Sequence, residues 1–165
     1  MTVPFVYTRR VQFYETDLAG MVHFSWHCRY MEEAEHALWR AAGLSIAEPA
    51  SDVRFPRVAA SFDFRAPLRF EDEFEVRIRI AAMSARSIRY ECDIVRGATD
   101  IARGTMTIAC IRIGDGLGRP IEIPRAIAQA LGARDVTPPA GRFRASPDRP
   151  ARGSRPSRSG PPRRS

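Results

Sequence analysis

Apolar and polar residues alternate with a period of two through the middle of the chain. Phe62 and Phe64 alternate with Asp63 and Arg65, and Pro67 then breaks the run. Phe74, Val76, Ile78 and Ile80 alternate with Glu75, Arg77 and Arg79, and Ile88, Tyr90, Cys92 and Ile94 with Arg89, Glu91 and Asp93. Each pattern predicts a half-buried strand. Residues 101 to 113 predict another, with Gly104 marking a bend or a close backbone approach. Residues 5 to 14, rich in aromatic and β-branched types, predict a first strand. One segment has a different period. Trp26, Tyr30, Ala34, Ala37, Leu38 and Ala41 recur every three or four residues, the stripe of an amphipathic helix, with Arg29, Glu32, His36 and Arg40 off it. Ser25 is the expected N-cap and Gly43 the left-handed residue after the helix end. Trp39 projects away from the stripe and is expected to be exposed, while Glu32, Glu33 and Glu35 read as a solvated face. Gly114-Asp115-Gly116 reads as a turn, and Pro124 opens a short helix through Leu131.

The resulting order is strand, long helix, then strands in succession. Strands grouped after a single helix predict an α+β fold, an antiparallel sheet with the helix on one face. Strand and helix units do not alternate, which argues against a doubly wound parallel sheet.

Composition changes this picture at one end only. The chain has 165 residues and is 44% hydrophobic, which fits one soluble domain with a real core. The net charge of +7 suggests a nucleic-acid binder until it is located. From Pro138 to Ser165 there are eight Arg and one acid, a surplus of seven, so residues 1–137 are formally neutral. The body therefore offers no electrostatic case for nucleic acid. The tail, 138–165, is dominated by Pro, Arg, Ser and Gly and cannot bury enough surface to offset its ordering entropy; it reads as disordered. Any nucleic-acid contact it makes would be weak and steeply salt-dependent. The three cysteines, Cys28, Cys92 and Cys110, form no close-spaced pair and fit a reducing compartment. No apolar run is long enough for a membrane span and no signal segment is evident, so the expected location is cytoplasmic.

The candidate chemistry lies in Phe13-Tyr14-Glu15-Thr16-Asp17-Leu18-Ala19-Gly20-Met21-Val22-His23-Phe24, between the first strand and the helix. A helix N-terminus carries free N–H groups and partial positive charge, and can stabilise an oxyanion. A carboxylate held beside it could run hydrolysis without a serine or a metal. On chemistry alone, a loop or capping carboxylate is the simpler reading of Asp17.

The element order, together with Asp17-x-x-Gly20-x-Val22-His23-Phe24, resembles the hotdog-fold acyl-CoA thioesterases, in particular the 4-hydroxybenzoyl-CoA thioesterase-like family. The resemblance runs through Arg69-Phe70-Glu71-Asp72-Glu73-Phe74-Glu75-Val76 and Ala102-Arg103-Gly104-Thr105 to Ile123-Pro124, covering roughly residues 5 to 132. It implies an antiparallel sheet wrapped around one long central helix, over a domain at 1–137. It also implies that Asp17 is the catalytic carboxylate and that the N–H near Phe24 polarises the thioester carbonyl, with Gly20, His23 and His27 lining the site. Asp17 could attack the thioester or deprotonate water; both routes stay open. The implied substrate is an acyl-CoA, whose phosphates body Arg residues could contact, with no cofactor and no metal. The implied assembly is a homodimer or homotetramer with sites between subunits.

Two positions depart from the family pattern. Many relatives carry His or Tyr where Phe24 stands, and Tyr where His27 stands. A satisfied, partly buried histidine is an equal reading of His27. The spacing of His23 and His27 matches a helical metal pair, yet His23 precedes the helix and no third ligand has suitable spacing. Glu33, at the edge of the stripe, is a second carboxylate to consider. The competing functional class is a non-catalytic hotdog module that binds an acyl thioester or a protein partner. No His-Asp pattern of a hotdog dehydratase is present.

Overall fold

A computed structural model describes residues 3–114 and 118–132. The turn residues Asp115 and Gly116 and the tail lie outside the described residues. Strand β1 (Phe5–Arg10) and a 3-10 turn (Phe13–Glu15) lead to helix α1 (Trp26–Ala41). Strands β2 (Val53–Arg54), β3 (Arg57–Phe64), β4 (Glu73–Met83), β5 (Ser87–Arg96), β6 (Thr99–Ala109), β7 (Ile111–Arg112) and β8 (Arg119–Pro120) follow, and then helix α2 (Arg125–Gly132). The main sheet has five strands in the order β1-β4-β5-β6-β3, each pair antiparallel. β2, β7 and β8 form a small second sheet. The expected α+β architecture is present: a mostly antiparallel hotdog sheet packed on one long helix.

The alternating residues sort onto two faces as the pattern requires. Phe74, Val76 and Ile78 of β4, and Ile88, Tyr90, Cys92 and Ile94 of β5, are buried. The opposite face carries ion pairs such as Arg79–Glu91 and Arg103–Asp93, solvated contacts of small net worth. One row of paired residues crosses the whole sheet as Phe5, Ile78, Cys92, Gly104 and Phe62. Gly104 is required there, because a Cβ would collide with the Phe62 ring. The expected close approach at Gly104 is thus made by a side chain of β3, the strand at the sheet edge.

α1 lies across the inner face. Tyr30 packs on Phe74 with ring centres 4.8 Å apart, and Trp39 Nε1 donates to the Tyr90 hydroxyl at 2.9 Å. The helix ends in a Schellman motif: Leu44 N–H donates to Trp39 O, Gly43 N–H donates to Arg40 O, and Gly43 has φ +74°.

Four local expectations are corrected. The first strand stops at Arg10, because the Glu15 carboxylate accepts from Gln12 N–H and coils residues 13–15 into the 3-10 turn. Ser25 stands at the N-cap position as expected, but its side chain makes no capping bond. Its backbone is already helical, and its hydroxyl pairs with His23 Nδ1 at 2.8 Å. Trp39 is fully buried rather than exposed, since Phe55, from the segment after the helix, packs edge-on against it. Glu35 is also fully buried, under Arg57 of β3. The sheet and the 44–57 segment cover a wider arc of α1 than its apolar stripe.

Candidate active site

The loop between the 3-10 turn and α1 is held by its own backbone. Asp17 N–H donates to Met21 O at 2.8 Å, Gly20 N–H donates to Asp17 O at 2.9 Å, and Thr16 bridges to Val22. Gly20 closes the turn at φ +70°, a conformation that a Cβ would strain. Val22 N–H donates to Leu68 O and Arg69 Nη1 to Gly20 O, docking the loop onto the segment before β4. The Asp17 side chain is exposed, and its Oδ1 accepts from Ala19 N–H at 2.8 Å. Oδ2 is not engaged by any described residue.

The helix begins as a tight turn. Trp26 N–H donates to His23 O and His27 N–H to Phe24 O. The N–H of Phe24 has no acceptor among the described residues. It lies one residue before the N-cap position, beside the positive end of the helix. An exposed carboxylate and a free N–H just ahead of α1 are therefore carried on one short loop held by its own hydrogen bonds.

His27 is buried, and its Nδ1–H donates to Phe24 O at 3.1 Å. Burial lowers its pKa more than the Phe24 carbonyl raises it, so the ring is neutral at pH 7. Its other nitrogen then lacks a proton and can only accept. The ring stands edge-on to Phe64 at 4.9 Å and near Phe62 at 6.3 Å. His27 thus ties the Phe24 carbonyl to the aromatic pair on β3. His23 is exposed, engaged with Ser25, and its ring lies tilted against that of Phe24 with centres 4.4 Å apart. Glu33 is taken up by Arg9 Nε at 2.7 Å and by the Tyr7 hydroxyl at 3.3 Å.

Around the loop, Phe13, Tyr14, Leu18, Phe24, Phe64 and Phe70 are all exposed, Phe24 by 64%. Exposed apolar surface gathered in one region is a usual feature of contact sites. No group of three or more His, Cys, Asp or Glu side chains able to hold a metal ion occurs among the described residues.

The sequence pattern passed over the support beneath the loop. Glu15 is fully buried. Its Oε2 accepts from Arg9 Nη1 and Gln12 N–H, each at 2.7 Å, and from the Tyr30 hydroxyl at 3.0 Å. Its Oε1 lies 2.6 Å from Arg9 Nη2 as an ion pair, off the hydrogen-bond direction. Burial pushes the Glu15 carboxyl up, but the bonds from Arg9, Gln12 and Tyr30 outweigh it and hold the carboxyl below its usual range. The one sequence signal was a Glu three residues after Gln12, the spacing of a capping box.

The described geometry and fold define a hotdog domain of the kind that carries thioester chemistry. Comparison with known families agrees: the model of the thioesterase-like superfamily matches residues 11–131. This chain belongs to that superfamily, a class of thioester hydrolases. It is 31% identical over 124 residues to a 1,4-dihydroxy-2-naphthoyl-CoA hydrolase of Synechocystis sp., covering 73% of this chain and 90% of that one. A Thermus thermophilus protein of solved structure, hypothetical protein TT1821, is 34% identical with a TM-score of 0.72, covering 79% of this chain and 98% of that one. The structure of BH1999 gentisyl-coenzyme A thioesterase aligns with a TM-score of 0.68 at 29% identity, over 76% of this chain and 98% of that one.

Proposed function

We propose that this chain hydrolyses an acyl-CoA to the free acid and CoA, with Asp17 as the reacting carboxylate and Phe24 N–H as donor to the thioester oxygen. One observation carries the reading: an exposed Asp17 and an acceptor-free Phe24 N–H share one loop fixed by hydrogen bonds. As the carbonyl carbon becomes tetrahedral, its oxygen gains negative charge. A preorganised N–H at the positive end of α1 stabilises that charge, typically by about 10²–10³ in rate. Asp17 either attacks the carbon, expelling CoA thiolate and leaving an anhydride for water to open, or takes the proton from an attacking water. Both routes yield the acid and CoA, and neither calls on a cofactor.

An aromatic acyl group is the proposed substrate class. The exposed rings of Phe24 and Phe64 support it, as do the aryl-CoA substrates in the names of two relatives. We further propose a homodimer. β3 is an edge strand with mostly exposed residues, Val58 and Phe64 among them, and a second copy would cover it. A cytoplasmic location is supported by the free Cys28, Cys92 and Cys110.

A panel of aromatic, short-chain and long-chain acyl-CoAs tests the activity. Asp17→Asn should lose at least about 10²-fold in kcat while still binding substrate. Full turnover in that variant across the panel would remove Asp17 from the mechanism. A second reading, a non-catalytic thioester-binding module, has one observation in its favour: His23 is engaged by Ser25 and His27 by the Phe24 carbonyl. It predicts no hydrolysis of any panel member, with thermal stabilisation by the ester.

A further inference from the structure

We propose that Glu15 is a positioning residue that sets the Asp17 carboxylate and the Phe24 N–H relative to each other, an inference that rests on the reading of those two groups as the reacting pair. Glu15 reaches both through the backbone. Asp17 is two residues further along the chain, and the Glu15 carbonyl accepts from His23 N–H at 2.9 Å, one residue before Phe24. The Glu15 side chain then fixes that junction to three separate elements. Arg9 belongs to β1, Gln12 opens the 3-10 turn, and Tyr30 stands one turn into α1. Arg9 is itself held in place by Glu33 of α1 at 2.7 Å and by stacking over the Tyr30 ring at 4.6 Å.

Stability alone is a poor reason for such a cluster. A buried ion pair loses solvation that its attraction barely recovers, and a well-packed apolar set of the same volume is usually as stable or more so. What a buried, directional network provides is one geometry. Here that geometry joins the first strand, the loop and the helix start, the three parts whose relative placement fixes the distance from carboxylate to oxyanion donor. A misplacement of about 1 Å at a reacting pair costs about 10²-fold in rate.

The test compares Glu15→Gln, Asp17→Asn and a core control, Ile108→Val, in the full chain. The assay uses the best substrate among benzoyl-CoA, hexanoyl-CoA and palmitoyl-CoA, well below each melting temperature. Glutamine keeps the size of Glu15 and can still accept from Gln12 N–H and Tyr30, but it loses the charged clasp to Arg9. Glu15→Gln should lower kcat by about ten- to a hundredfold with KM within about twofold. Amide hydrogen exchange at His23, whose N–H is bonded to the Glu15 carbonyl, should quicken. Ile108→Val, at a fully buried position of β6 away from the loop, should keep kcat despite its own loss of stability. A folded Glu15→Gln protein with wild-type kcat would overturn the proposal, as would a loss of kcat equal to that of a control with the same melting temperature. Full turnover in Asp17→Asn would overturn the underlying site reading and the proposal with it; loss there beside normal Glu15→Gln would overturn the positioning role alone. If Glu15→Gln does not fold, Tyr30→Phe removes one donor to Glu15 and leaves the ring. It should lower kcat by about three- to tenfold, and an unchanged kcat would overturn the proposal.

Discussion

Glu35→Gln should make the protein's stability less dependent on pH, in a direction set by two opposing effects. Glu35 is fully buried on α1, with Oε2 2.6 Å from Arg57 Nη2. That one nitrogen also lies 3.0 Å from Glu32 Oε1 and 3.2 Å from His36 Nε2, so its charge is divided. Glu35 Oε1 is buried with no hydrogen-bond partner. Burial is therefore the larger effect and pushes the carboxyl up to about 7. Arg57 opposes it and Glu32 adds to it.

A folded pKa above the unfolded value of 4.5 means that the folded chain holds an extra proton between the two. The resulting stability is fully present below about 4.5 and is lost as pH rises through about 7. At 1.36 kcal/mol per pKa unit, the contribution is about 3 kcal/mol. Glutamine cannot titrate. Wild type should therefore lose about 3 kcal/mol relative to Glu35→Gln between pH 4.5 and 8. Urea unfolding of both proteins across that range measures the difference, and titrations common to both cancel. Protein concentration must be fixed, because self-association raises apparent stability. A difference that stays flat with pH would refute the burial argument. A difference of opposite sign would show that the Arg57 ion pair dominates instead.

Other perturbations read other parts of the molecule. Phe24→Pro removes the proposed oxyanion donor just ahead of α1, where no described group accepts from that N–H; kcat should fall by about 10²–10³-fold with the circular dichroism spectrum unchanged. Gly104→Ala forces a Cβ into the Phe62 ring and should cost about 1–3 kcal/mol in urea unfolding, with most of that recovered on adding Phe62→Leu. Trp39→Ala should cost about 3–5 kcal/mol, since it empties a buried site and leaves the Tyr90 hydroxyl without its donor. Val58→Lys on the exposed edge strand should shift the protein towards monomer in sedimentation, with little change in monomer stability.

The strands were legible because their one-sided burial writes itself as alternation. Phe74, Val76 and Ile78 needed no further context. α1 was legible as a helix, but its buried arc was not. Trp39 and Glu35 fall outside the apolar stripe, and what buries them is distant in sequence: Phe55 and Tyr90 for Trp39, Arg57 for Glu35. A single-helix pattern carries no signal from partners 16 to 51 residues away. Gly43 was read correctly because its constraint is local, a left-handed backbone at a helix end. Ser25 stands at the N-cap position, but its capping bond is missing for the converse reason. It has the composition of a cap, but His23, two residues earlier, takes its hydroxyl.

The candidate site divides in the same way. Gly20 was legible because the loop is a local turn whose special backbone demands glycine, whereas Asp17 was singled out through the family pattern. The family pattern also pointed to Phe24 through its backbone, where side-chain identity matters least. Glu15 was passed over, although it lies two residues from Asp17, because its meaning depends on Arg9 and Tyr30 meeting it from different elements. In the linear sequence Glu15 is one of several acids beside an aromatic pair. Only the folded chain makes it a buried carboxylate, and burial demands an account of why the charge is kept. The account offered by the geometry is that Glu15 fastens one end of the loop through its side chain and the other through its carbonyl. The spacing of Asp17 and Phe24 then belongs to the packing of β1 against α1 as much as to the residues of the loop.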